Sequence, residues 1–120
     1  MKTEAHEAKA RSIERSLAKC SVDDYETIIE GAMLAGTHWF NILLHRAGLR
    51  DADNDIVHAE FVSIGERRKL GLAAPQALSS LDAIERLRTT HVRGDMPQGE
   101  HAAGLALEYL SQLHAACLTA

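Results

Sequence analysis

The sequence predicts an all-α protein, an antiparallel up-and-down four-helix bundle with an irregular or short-helix segment between the second and third helices. Three observations lead there. Apolar residues recur at three- and four-residue spacing along most of the chain, the period of a helix with one buried face. Aromatics are only 4% of the residues while hydrophobic residues reach 46%, so the core is built from Leu, Ile, Val and Ala. Polar breaks near 21–22, 49–55 and 94–99 divide the periodic stretches into four, and 120 residues make a single domain.

The first helix is expected from about Thr3 to Lys19. It is rich in Glu, Ala, Lys and Arg, with a thin stripe of Ala10, Ile13, Leu17 and Cys20. The alternating charges outside that stripe form a solvated face.

The second helix spans Tyr25–Ala47 and holds the single Trp of the chain. Ser21 is its expected N-cap, with Asp24 completing a capping box, and Gly48 its C-terminal stop. Tyr25, Ile28, Ile29, Ala32, Met33, Gly36, Trp39, Phe40, Leu43 and Ala47 fall on one side. The other side carries Thr27, Gly31, Leu34, His38, Asn41 and His45, with Ala35 and Ile42 at its edge. A solvated face would be rich in Lys and Glu. This one is surplus to a simple core and must be covered by the 49–74 segment, a second copy of the chain, or a ligand. His38, Asn41 and His45 are therefore ligand-binding candidates, and homodimerisation is expected through the Tyr25–Ala47 helix.

From Leu49 to Ala74 the pattern weakens. The spacing of Val57, Phe61 and Ile64 favours a short helix over a strand, because a lone strand has no partner here. Gly65-Glu-Arg-Arg-Lys-Leu-Gly71 is expected as a basic loop. Pro75 suits the first turn of the third bundle helix, whose stripe is Leu78, Leu81, Ile84 and Leu87, continued by His91. Gly94, Pro97 and Gly99 break the chain again. The last helix is expected from Glu100 to Leu118, burying Leu105, Ala106, Tyr109, Leu110, Leu113, Ala116 and Cys117.

A net charge of −4 gives no global attraction to nucleic acid or acidic membranes. No apolar run approaches the ~18 residues of a membrane span. The charged start, MKTEAHEAKARSIERS, lacks the apolar region of a secretory leader, so a cytoplasmic location is expected. The two cysteines, Cys20 and Cys117, have no metal or redox spacing and fall at opposite ends of the bundle, which predicts two free thiols.

Seven histidines raise the question of metal binding. No HxxxH or HExxH pattern is present, and only Asp55 and His58 stand at carboxylate–imidazole spacing. The spacing therefore predicts no metal site and no cofactor. The bundle topology places His6, His45, His114 and His58 toward one end, and His91 and His101 toward the other.

The end of the third helix reads Arg86-Leu-Arg88-Thr-Thr-His91-Val-Arg93. Arg86 and His91, with four residues between them at a helix end, resemble the Rx4–6H motif of the HEPN superfamily, over Ser21 to Leu118. The resemblance implies a compact helical bundle, often dimeric, that acts as a metal-independent RNase, a nucleotide binder or an interaction module. By that resemblance Arg86 and His91 are the catalytic candidates, with Arg88 and Arg93 as ligand contacts and RNA or a nucleotide as partner. An arginine can stabilise a phosphorane-like charge and a histidine can move the proton.

Three functions follow, in order. The first is a non-catalytic, homodimeric interaction protein. The second is an HEPN-like RNA or nucleotide binder or RNase using Arg86 and His91. The third is a metal- or small-ligand-binding bundle using His38, His45 and His58.

Overall fold

The computed structural model describes residues 1–57 and 61–119, the side chain of 119 excepted. The helices are α1 (Thr3–Leu17), α2 (Tyr25–Arg46), α3 (Ile64–Ala73), α4 (Pro75–Leu87) and α5 (Gly99–Thr119), with a π-helical turn at Arg88–Arg93. No strand occurs among the described residues. The all-α expectation is met.

Helix α2 is the axis of the molecule and packs against α1, α4, α5 and the π turn. Its expected apolar side is buried, with Ile29, Ala32, Trp39 and Phe40 at 1% exposure or less. The contacts fix the directions. Leu17 meets Gly31 while His6 meets His38, so α1 runs antiparallel to α2. Arg88 reaches Glu30 while Leu81 and Ile84 approach Gly36, so α4 is antiparallel as well. Gly99 abuts Tyr25 and Arg46 bonds the Cys117 carbonyl, so α5 is parallel to α2. A Cβ on Gly99 would stand 2.5 Å from the Tyr25 ring, so only glycine permits that approach.

Two boundaries differ from expectation. Helix α2 starts after Asp24 rather than after Ser21. Asp24 N–H donates to the Ser21 carbonyl (2.9 Å) and its carboxylate accepts from Ser21 N–H (3.2 Å), so the Ser21 turn closes on itself before the helix begins. The basic segment expected as a loop is helix α3. Ser63 Oγ accepts from Glu66 N–H (3.1 Å) and Glu66 Oε1 accepts from Ser63 N–H (2.8 Å), a complete capping box that starts it. Only Leu70 of α3 is buried. The helix is held instead by ions: Arg50 to Glu66 (2.7 Å) and Arg67 to Asp82 of α4 (2.8 Å). Of the short helix expected around Val57–Ile64, Phe61 has 3₁₀-helical conformation, Val57 and Val62 are bends and Ile64 already begins α3, while 58–60 lie outside the described residues.

Cys20 is half-buried and Cys117 buried, both as free thiols. Burial pushes the Cys117 thiol up to about 12, against the opposing pull of Arg46, and its Sγ donates to the Trp39 carbonyl (3.0 Å). A thiol so held is not a nucleophile at neutral pH.

Candidate metal centre

The second face of α2 has two different covers. Gly31 and His38 are covered by α1, through Leu17 and His6. Asn41 and His45 are covered by the 50–57 segment. Leu34 stays 55% exposed.

Asn41 makes the second cover possible. Its side chain is 1% exposed. Its Nδ2 donates to the Ile56 carbonyl (2.9 Å) and the Thr37 carbonyl (3.0 Å), and its Oδ1 accepts from Ile56 N–H (2.9 Å). The amide satisfies both polar backbone groups of a residue in an irregular segment, which burial would otherwise penalise. Asn41 is thus taken up by Ile56 rather than turned toward a ligand. Its effect is to place Asp55, one residue earlier, against α1 and α2.

Asp55 lies between two imidazoles. His45 Nε2 stands 2.7 Å and His6 Nε2 3.0 Å from the same oxygen, Oδ1. The amino-terminal ammonium of Met1 donates to the other oxygen, Oδ2 (2.9 Å). Burial alone would raise the Asp55 carboxyl. The bonds from the ammonium, His6 and His45 outweigh it and hold the group at about 2. Burial pulls His6 below the ordinary histidine value despite the bond to Asp55. Burial also lowers His38, helped by the charges of His6 and Lys9.

The hydrogen-bond roles are constrained by chemistry. His45 Nδ1 lies 2.8 Å from the Arg50 carbonyl. A carbonyl only accepts, so Nδ1 carries the hydrogen. In a neutral ring Nε2 then has a lone pair, which faces a carboxylate oxygen that also only accepts. Either a second proton or a cation must sit between them. His6 has more freedom, because its Nδ1 meets His38 Nδ1 at 2.9 Å and the two rings share one hydrogen. When His6 donates that hydrogen to His38, its Nε2 lone pair also points at the Asp55 oxygen.

His6, His45 and Asp55 offer one ligand atom each, all within 4.8 Å of one another. The donors of a tetrahedral zinc ion, with bonds of about 2.0–2.1 Å, stand about 3.3 Å apart. The trio therefore needs only side-chain adjustment to close on an ion. Two imidazoles and a carboxylate suit Zn²⁺, Fe²⁺, Mn²⁺, Co²⁺ and Ni²⁺, and they leave coordination positions open. The His45–Arg50 and His6–His38 bonds supply the outer shell that orients metal-binding histidines.

The spacing in the chain gave no such site because its members come from α1, α2 and the 50–57 segment, 49 and 10 positions from Asp55. His6 was legible in part. It continues the Ala10, Leu17 stripe at minus four and is 1% exposed. His58 lies outside the described residues. His114, expected at the same end, is drawn away by Glu14 of α1 (3.0 Å).

The Arg86–Arg93 stretch is arranged differently. Arg86 is exposed, and His91 is half-buried with its Nδ1 2.8 Å from Thr90 Oγ1. Arg88 is held by Glu30 (2.8 Å) and Glu85 (3.6 Å), and Arg93 lies 4.0 Å from Glu85. Two of the four basic residues therefore face carboxylates. No helix is long and apolar enough to cross a membrane among the described residues. Comparison with known proteins finds no family model, no curated protein and no solved structure that matches this chain.

Proposed function

We propose that the chain is a metal-binding helical domain, a four-helix bundle of α1, α2, α4 and α5 with α3 as an accessory, that takes one borderline divalent cation at His6, His45 and Asp55. One observation carries the reading. His45 Nε2 is aimed at the Asp55 oxygen while its Nδ1 is committed as donor to the Arg50 carbonyl, so the Nε2–Oδ1 contact calls for a proton or a metal cation, and a metal can take the place of that proton. The tautomer of His6 that donates its Nδ1 hydrogen to His38 frees its Nε2 for the ion. The coordination positions left by the protein are available to water or to a small oxygen- or nitrogen-donor ligand.

The test is zinc titration by calorimetry on protein stripped with a chelator. One zinc per chain is expected, with protons released as it binds. His45→Ala should weaken binding at least about 10-fold. Protein that stays apo after zinc loading, or a His45→Ala variant that binds as wild type does, would overturn the reading.

A second reading is favoured by the part of α2 that the fold leaves uncovered. Leu34 is 55% and Val57 66% exposed, and both line a groove of about 550 Å³ with Thr27, Gly31, Thr37 and Arg88. Homodimerisation through this strip of α2 fits an apolar patch rimmed by charge. Light scattering of wild type and Leu34→Asp decides it, since a monomer in both sinks it.

A further inference from the structure

We propose a second binding site, for a small neutral phenol, between α1 and α5 on the Trp39 side of the bundle. The pocket has a volume of about 230 Å³ and is lined by Glu14, Leu17 and Ala18 of α1 and by Leu107, Leu110, Ser111 and His114 of α5. None of these residues belongs to the candidate metal centre.

Its polar end is built around Glu14. Oε1 accepts from the Trp39 indole N–H (2.8 Å) and Oε2 pairs with His114 Nδ1 (3.0 Å). A carboxylate only accepts, so His114 Nδ1 carries a hydrogen, and in the neutral ring Nε2 has a lone pair. The imidazole is stacked on the indole, with centroids 4.2 Å apart and planes at 20°, so its orientation is fixed on two sides. Arg11 lies over the same indole at 5.6 Å. The pocket thus combines the polar side chains of His114 and Ser111 with the leucines Leu17, Leu107 and Leu110.

The class of ligand follows from those features. The leucine walls call for an apolar body, and the volume holds one ring, since a cavity of about 150 Å³ accepts benzene. An anion would meet the Glu14 carboxylate behind the imidazole. A cation would lose its hydration against the leucines. A neutral hydroxyl that donates to His114 Nε2 meets neither penalty, and a phenol combines that donor with the ring.

The test uses p-cresol and toluene as probes, read by the fluorescence of Trp39, the only tryptophan in the chain. Saturable binding is expected, with p-cresol tighter than toluene by about 2- to 10-fold, the contribution of one hydrogen bond. His114→Phe keeps a ring stacked on Trp39 and should erase that preference. Ser111→Phe, an exposed substitution at the pocket edge, should block both probes without disturbing the core. No saturable change with p-cresol, equal binding of the two probes to wild type, or undiminished p-cresol binding in either variant would overturn the proposal.

Discussion

Asn41 is the residue on which the candidate metal centre depends without touching it. Truncation to alanine strips both partners from the Ile56 backbone in a place that water does not reach. The loss is about 2–3 kcal/mol, the penalty for buried groups left unsatisfied. Because Asp55 is placed by that anchor, Asn41→Ala should also weaken zinc binding, and denaturant unfolding with zinc titration reads both. Unchanged affinity would show that Asp55 holds its place without Ile56. The histidines add a pH dependence whose sign is fixed. His6 and His38 are held below the ordinary value, 6.5, so below that pH the unfolded chain binds protons that the folded chain refuses. Their stabilising effect is whole above 6.5 and is lost as the pH falls beneath it. Asp55, held at about 2 against an ordinary 3.8, withdraws its own contribution only below 3.8. Melting temperatures of chelator-treated protein should fall between pH 8 and pH 5, and a flat profile would refute the burial argument.

At the scale of elements, helical periodicity told most of the story. Part of each expected stripe of α1, α2, α4 and α5 is buried, whereas Ile13, Tyr25, Leu78, Leu87, Leu105, Tyr109 and Ala116 are only half-buried and Ala47 is exposed. Helix α3 was not legible by period, since Leu70 is its one buried residue and ion pairs to Asp82 and Arg50 hold it. Its signal was the Ser63-x-x-Glu66 capping box, which needs no apolar stripe. The π turn was also hidden. Thr89 and Thr90 return their hydroxyls to the Glu85 and Arg86 carbonyls (3.0 and 2.9 Å), an arrangement that competes with regular backbone bonding. Gly94 then ends the turn so tightly that a Cβ there would stand 2.7 Å from the Thr90 carbonyl oxygen. Gly94→Ala should therefore destabilise the protein by about 1–3 kcal/mol, the range for overpacking against atoms that cannot move aside. Thermal unfolding that matches wild type would show that the turn relaxes freely.

At the scale of the whole molecule, the apolar core joins the bundle helices, and the candidate centre is where α1, α2 and the 50–57 segment meet. Helix α1 is distant in sequence from the other two ligand-bearing segments, and the 50–57 segment has little apolar contact beyond Ile56 to hold it. The sequence could not reveal the centre because no local spacing encodes a meeting of α1, α2 and an irregular segment; only the packing of His6 and the Asn41–Ile56 anchor produce it. A cation bound there crosslinks all three segments in the folded state and has no assembled site in the unfolded chain, so its binding energy becomes folding energy. At a free zinc concentration about 100-fold above Kd, the gain is about 2.7 kcal/mol. For a domain of this size that is a rise in melting temperature of about 10 °C. Asp55→Asn keeps the shape and a hydrogen-bonding oxygen but removes the charge that faces His6 and His45. Its zinc-dependent rise should shrink to a few degrees, and a chelator should return wild type to the apo value. If Asp55→Asn keeps the full rise, the ion binds elsewhere; if wild type shows none, the three side chains hold protons in place of a metal.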